Sequence, residues 1–264
     1  MPAPRAKPAH LGAEYAAQFG DEAVAAAYRH RPPYPAETFD IVERLLGRRP
    51  RRVLELGAGT GDFTIGLAPR VDHLVAVEPS RPMRERGRSR SGGAPIEWLA
   101  VRAEDGPFDR RFSAVVAAEA FHWLDWHAVL PRIGDSLMPD GWLILVERGL
   151  AEPVAWDADL RPLIREYSTN RAYAAYDIAD ELEARGLFAI GGRARTGASP
   201  HRQSVAEYVE SVHSRNGFSR ARLAADAARR FDAALEALLD RHCPDGVVVL
   251  PVDARVTWGR PVAT

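Results

Sequence analysis

The chain has 264 residues, 46% of them hydrophobic and 27% charged, the balance of a globular protein with a sizeable core. Its 35 basic and 36 acidic residues give a formal net charge of −1, which argues against nucleic acid as the main partner. Cys243 is the single cysteine, so neither an intramolecular disulfide nor a cysteine-held zinc is available.

Met1 to Leu11 is polar, carries three prolines and lacks the apolar stretch of a secretory signal; it reads as a disordered lead-in. No run of about 18 apolar residues occurs, so no membrane helix is predicted and a cytoplasmic protein is expected. Glu14–Ala27 is predicted helical. His30–Pro35 is extended, because proline disfavours helix in itself and in the residue before it. Ala36–Gly47 resumes a helix with Gly47 as its C-terminal cap.

Strands are predicted at Arg52–Leu56, His73–Val77, Ile96–Val101, Phe112–Ala117 and Gly141–Val146. A helix follows the first, and another spans Trp126–Leu137. This alternation predicts a parallel sheet covered by helices on both faces. The arginine-rich stretch Arg81–Gly93 reads as a solvated helix end and loop. Beyond Glu147 come helices at Asp157–Tyr173, Ile178–Ala184, Val205–His213 and Ala221–Asp240. A sixth strand is predicted at Leu187–Thr196 and a late, antiparallel one at Val247–Trp258.

The strongest chemical signal is Val53-Leu54-Glu55-Leu56-Gly57-Ala58-Gly59-Thr60-Gly61. A buried strand enters a loop with glycine at alternate positions and leaves as a helix. Glycine permits the tight turn and lets a ligand approach the backbone. Glu78, 21 residues after Gly57, ends the second strand and is followed by Pro79. A carboxylate there can accept hydrogen bonds from both ribose hydroxyls of an adenosine. NAD and S-adenosyl-L-methionine both put a nucleoside on such a frame. Gly-x-Gly-x-Gly spacing, rather than the dinucleotide Gly-x-Gly-x-x-Gly, favours the sulfonium cofactor. So does Glu55, which would repel a diphosphate and attract an ammonium. Ala103-Glu104-Asp105 follows the third strand, where an acid and a backbone N–H can read adenine's edge.

Val53–Gly61 resembles motif I of class I S-adenosylmethionine-dependent methyltransferases, and Glu78 resembles the acidic end of the next motif. Leu137-Met138-Pro139-Asp140-Gly141-Trp142 resembles the Leu-x-Pro-Gly-Gly turn before the fifth strand, with Asp140 replacing the first glycine. Tyr28–Pro35 and Glu119–Asp125 are similar to the small-molecule branch that includes ubiquinone-biosynthesis-type and trans-aconitate-type methyltransferases. The resemblance covers about Tyr28 to Glu147. It implies a Rossmann-like seven-stranded α/β sheet of order 3-2-1-4-5-7-6 with the seventh strand antiparallel and helical lid insertions. It also implies an N-terminal segment covering the cofactor, in which Arg31 pairs with the methionine carboxylate and Tyr28 hydrogen-bonds nearby.

His122 and Trp123 leave the carboxyl end of the fourth strand, where ligands of open α/β sheets bind. His122 reads either as a catalytic base or, with Trp123, as a wall of the pocket. Methyl transfer needs no base in principle, since positioning and desolvation supply much of the rate. The candidate cofactor set is Tyr28, Arg31, Glu55, Gly57, Ala58, Gly59, Thr60, Gly61, Glu78, Pro79, Met83, Ala103, Glu104, Asp105, Glu119, Ala120 and Trp123. Polar and aromatic clusters near Tyr167 to Tyr173 and His213 to Ser219 suggest an acceptor lid, giving Tyr15, Trp123, Tyr167, Tyr173, His213, Arg215 and Asn216 as acceptor candidates. His201 and His242 have no partner at ligand spacing, so no metal is expected.

The reading is a methyltransferase using S-adenosyl-L-methionine, releasing S-adenosyl-L-homocysteine and acting on a small biosynthetic or specialised metabolite, with no nucleic-acid or membrane partner and room for a homodimer. Residues 1–35 form a lid segment, 36–150 the cofactor core, 151–246 a helical lid with the sixth strand, and 247–264 the last strand. Alternatives are an enzyme using the sulfonium without transferring methyl, an NAD-dependent oxidoreductase, and a non-enzymatic binding protein.

Overall fold

The structure, a computed structural model, describes residues 7–174 and 176–262. Much of the polar lead-in lies outside this range. Its end does not: Ala9–Leu11 makes a 3-10 turn with His10 and Leu11 buried, so this part packs rather than trailing in solvent. The expected first helix is broken into α1 (Ala13–Ala16) and α2 (Glu22–Ala27), joined by a 3-10 turn through Gly20. Glycine weakens helix, and Asp21 takes an extended conformation before α2.

The central elements run α3 (Ala36–Leu45), β1 (Arg52–Leu56), α4 (Asp62–Leu67), β2 (His73–Val77), α5 (Arg81–Arg90), β3 (Ile96–Leu99), β4 (Phe112–Ala118), α6 (Trp126–Ser136) and β5 (Leu137–Leu150). The strands pair in parallel, with Leu54 opposite Val75 on one side and Val115 on the other. Their β-branched and aliphatic side chains alternate between two cores. Leu54, Val115 and Leu143 point toward α6, where Val129 and Ile133 are fully buried. Val53, Val116 and Ile144 point toward α3 and α4, against Phe39, Val42 and Phe63. Period-two alternation with both faces covered is what a buried parallel strand requires.

The segment read as a solvated helix end and loop is mostly the ten-residue α5, started by Ser80, whose Oγ accepts the Met83 N–H. Ser at the N-cap and proline in the first turn favour a helix start. The polar exterior hid it.

The remaining elements are α7 (Asp157–Tyr167), α8 (Ile178–Ala184), β6 (Phe188–Arg195), β7 (Ser199–Ser204), α9 (Val205–His213), α10 (Ala225–His242) and β8 (Val247–Pro261). Helix α7 stops at Tyr167 rather than reaching Tyr173. The sheet order is β3-β2-β1-β4-β5-β8-β6, with β8 antiparallel to β5 and β6. This is the expected Rossmann-like order with one addition. Strand β7 was not expected; it pairs with the first half of β8, Gln203 opposite Val248. The late strand is therefore the eighth. Its Val248, Leu250 and Val252 line a third core with α7, α9 and α10.

Candidate functional site

The cavity that matters opens beyond the carboxyl ends of β1, β2 and β4, at about 560 Å³. That size suits a nucleoside carrying an amino-acid tail. Its floor is the β1–α4 loop, where Gly57, Gly59 and Gly61 have φ of 74°, 57° and 81°. Only glycine adopts this region without strain. A Cβ on Gly57 would stand 2.5 Å from Ala120 Cβ, so the loop and the β4 end approach closely because that atom is missing.

Two carboxyl groups serve this floor. Glu78 accepts the Gly59 N–H and the Ser80 N–H, both at 2.8 Å. Burial pushes its carboxyl up, and those two N–H donors oppose the rise. Glu55 is 1% exposed, and its Oε2 has no hydrogen-bond partner. Burial pushes Glu55 up to about 8, with Glu78 and Asp62 adding to the rise and Thr64 opposing it. A carboxyl oxygen buried without a partner at a cavity wall awaits a donor or a cation.

The other walls come from distant parts of the chain. Phe19 meets Tyr28 and Trp123 edge-on, with ring centroids 6.3 and 5.4 Å apart. The Arg31 guanidinium lies 4.0 Å over the Tyr28 ring and donates twice to Ser214, at 2.8 Å each. Glu119, just past β4, holds a φ of 54°, an uncommon conformation for a side chain of this size. Its Oε1 accepts the Arg148 N–H at 2.8 Å. That bond spans β4 to β5 and fixes the strained residue.

Among the candidate cofactor residues, Tyr28, Arg31, Glu55, Gly57, Ala58, Gly59, Thr60, Glu78, Pro79, Met83, Ala103, Glu104, Glu119, Ala120 and Trp123 line this cavity. Two do not. Gly61 caps α4 and makes room for Trp98 and Gly87 beneath it, so its role is packing. Asp105 is exposed on a 3-10 turn. Glu104 reaches the wall, but its Oε1 is occupied by the Asp125 N–H at 2.8 Å and its Oε2 pairs with Arg102.

His122 is not among the lining residues. Its ring sits against Trp123, and burial pushes the imidazole down to about 4, with Glu119 opposing. It is neutral near pH 7 and a weak base.

The acceptor candidates other than Trp123 stand away from the cavity walls. His213 is fully committed: Nδ1 faces the Phe218 carbonyl at 2.7 Å and Nε2 faces Asp232 at 2.6 Å. Asn216 accepts from Asn170 at 3.1 Å, Arg215 lies over Tyr208, and Tyr167 packs on Phe231. Tyr173 is 65% exposed. Tyr15 lies on α1, partly buried, without reaching the cavity. The wall residues that the sequence did not point to include Phe19, Asp62, Leu124 and above all Arg148.

A parallel sheet with a glycine loop at its first strand and an acid at the end of its second defines a nucleoside-binding Rossmann-like protein. The chain belongs to the methyltransferase-domain family, whose model matches residues 28–191. An uncharacterized methyltransferase of Mycobacterium tuberculosis is 38% identical over 145 residues, covering 54% of this chain and 57% of that protein. Trans-aconitate 2-methyltransferase of Rhodococcus jostii is 28% identical over 155 residues, 56% of this chain and 54% of its own length. The matched stretch thus spans little more than half of these relatives. A proposed type II methyltransferase from Anaeromyxobacter dehalogenans shares the fold, with a TM-score of 0.63 at 21% identity over 87% of this chain and 97% of that one.

With the family shown, S-adenosyl-L-methionine is the cofactor, and the pocket fits it by its own chemistry. The orphaned Glu55 oxygen suits an ammonium. Glu78, with both oxygens anchored by backbone N–H groups, suits a diol. The open loop at Gly59, where a Cβ would meet nothing within 4 Å, leaves space for a ligand against the backbone. Among the described residues no cluster suited to a metal ion occurs, and no helix is long and apolar enough to cross a membrane.

Proposed function

We propose that this chain transfers a methyl group from S-adenosyl-L-methionine to an O-, N- or C-centred atom of a small-molecule acceptor. The observation that carries the reading is the pair of buried acids, Glu55 and Glu78, facing one cavity across the glycine loop. Glu55 gains its charge when a cation arrives, which suits an ammonium and not a diphosphate. The relative from Rhodococcus jostii, named for methylating trans-aconitate, supports a small acceptor.

The bound cofactor supplies an activated methyl on a sulfonium. The protein's own groups do the rest. Glu78 holds the ribose, Glu55 the ammonium, and Ala103 with Met83 borders the adenine side. Phe19, Tyr28 and Trp123 exclude water from the reacting end, which strengthens every charge interaction inside. Arg31, bonded to Ser214, closes the N-terminal segment onto the C-terminal helices. His122 orients Trp123 rather than taking the proton, because burial leaves it too weakly basic. An acceptor that is already acidic then loses its proton to water, and positioning carries the rate.

The test incubates the protein with methyl-labelled S-adenosylmethionine and a panel of small acids, phenols and amines, with S-adenosylhomocysteine as the readout. Acceptor-dependent release of S-adenosylhomocysteine supports the reading. Tight cofactor binding with no release across the panel turns it toward an enzyme that uses the sulfonium without methyl transfer.

A further inference from the structure

Helix α5 holds the glycine loop from both of its ends. At its start, Ser80 donates to Glu78, which also accepts the Gly59 N–H, each at 2.8 Å. Arg84 Nη1 adds a bond to the Glu78 carbonyl at 2.7 Å. At the last turn, Arg90 reaches back across the loop. Its Nη1 donates to the Thr60 carbonyl at 2.8 Å and to Asp62 Oδ1 at 2.5 Å, with Thr60 Oγ1 at 3.3 Å. Between these ends, Gly87 and the Trp98 ring pack against Gly61. The loop is thus closed into a ring whose stiff side is a ten-residue helix, about 15 Å long.

Thr60 and Asp62 line the cofactor cavity, and Arg90 is not among the lining residues. The Arg90 side chain is 46% exposed, so its ion pair with Asp62 adds little to stability by itself. What Arg90 governs is the place and the charge of two cavity residues. It fixes the Thr60 carbonyl at the end of the loop, and it offsets the Asp62 carboxylate. That offset reaches Glu55. Burial is the main reason the Glu55 carboxyl lies high; Thr64 opposes the rise, and Glu78 and Asp62 add to it. Tyr34 faces both Glu55 and Asp62, and Arg148 on β5 faces Asp62. Any negative charge left uncompensated here makes Glu55 harder to ionise, and an ammonium needs it ionised.

Resting on the reading of Glu55 as the partner of the cofactor's ammonium, we propose that Arg90 is a positioning residue for the amino-acid end of the cofactor. From outside the pocket it locks Thr60 and neutralises Asp62, which leaves Glu55 free to take a cation.

The test titrates the full chain, as wild type, Arg90→Met, Arg90→Lys and Asp62→Asn, with two ligands. One is S-adenosylhomocysteine; the other is 5′-methylthioadenosine, which lacks the amino-acid end. Titrations run from about pH 6 to about pH 9, across the range in which Glu55 ionises. In wild type, S-adenosylhomocysteine binds the more tightly, and its affinity rises with pH and levels off once Glu55 is ionised. Arg90→Met is expected to weaken S-adenosylhomocysteine at least about fivefold near neutral pH, and 5′-methylthioadenosine less than about twofold. It also moves the level-off upward by about half a pH unit. Arg90→Lys keeps the charge and restores the wild-type profile, and Asp62→Asn moves the level-off downward. Equal weakening of both ligands in Arg90→Met, with an unmoved level-off, marks a brace of the fold alone and overturns the proposal. So does an Asp62→Asn profile that matches wild type, a result that needs no folded Arg90 variant. Failure of the Glu55 reading is distinct and takes the proposal with it: wild type then binds both ligands equally at every pH.

Discussion

The glycine-loop wall and the C-terminal helical cap both concentrate polar side chains, yet they use them in opposite ways. In the cap, many polar groups answer one another, although Asn170 Oδ1 and Asn216 Nδ2 keep no partner among the described residues. His213 bridges Phe218 and Asp232, Arg220 joins Asp232 and Glu210, and Thr169 reaches the Gly217 carbonyl. In the loop wall, backbone N–H groups fix one acid while the other keeps an oxygen bare. A polar cluster that closes on itself is architecture. One that leaves a buried atom unanswered at a cavity points to a ligand.

The largest effect that would sharpen this contrast is at Gly57. An alanine there meets Ala120 and forces an unfavourable φ. S-adenosylhomocysteine affinity is expected to fall at least about 100-fold, roughly 2.7 kcal/mol, in a calorimetric titration. On the cap side, His213→Ala strands the Phe218 carbonyl and Asp232 Oδ1. It is expected to cost about 2 kcal/mol in urea unfolding and to shift S-adenosylhomocysteine affinity less than about twofold. A cap variant that folds well but loses the ligand would break the contrast. Glu78→Ala is expected to weaken S-adenosylhomocysteine about tenfold, roughly 1.4 kcal/mol.

Glu55 gives a pH signature. Its folded carboxyl lies at about 8, above the ordinary value of 4.5, so between these the folded state binds the extra proton. Stability of the ligand-free protein is then fully present below about 4.5 and falls as pH rises toward 8, by up to about 1.4 kcal/mol per pH unit. Glu55→Gln removes that slope. An ammonium arriving at Glu55 draws its carboxyl back down, so ligand binding at pH 7 releases a proton. The binding heat then depends on the buffer's ionisation enthalpy in wild type and not in Glu55→Gln. The smallest effect is at exposed Tyr173, where serine should change stability by less than about 0.5 kcal/mol and leave methyl transfer intact.

The first five strands and the glycine loop were legible because buried parallel strands and a tight strand-to-helix turn both demand particular residue types. Strand β7 was not, since Ser199-Pro200-His201-Arg202-Gln203-Ser204 offers no apolar alternation; β8 supplies the pairing and the core. Helix α5 was hidden by its arginines, although Ser80 before Pro82 was a readable start. Along β5, Arg148 looks like a charged strand end, and only the approach of Pro32, Tyr34 and Glu119 from elsewhere makes it part of a pocket. The cap residues misled in the other direction. Hydroxyls, amides and a histidine around Gly217 read as a lining, and one-dimensional spacing cannot tell a lining from a cluster that packs away from the cavity.

Strand β8 also sets a timetable. Val247–Pro261 pairs at once with β5, β6 and β7. Until it emerges during synthesis, β5 shows a bare edge and the two strands before β8 have no neighbour to join. Such edges recruit other chains. A nascent chain that has reached β7 but not β8 therefore carries adhesive edges, and β8 closes them. Slow translation just before residue 247 would prolong that exposure.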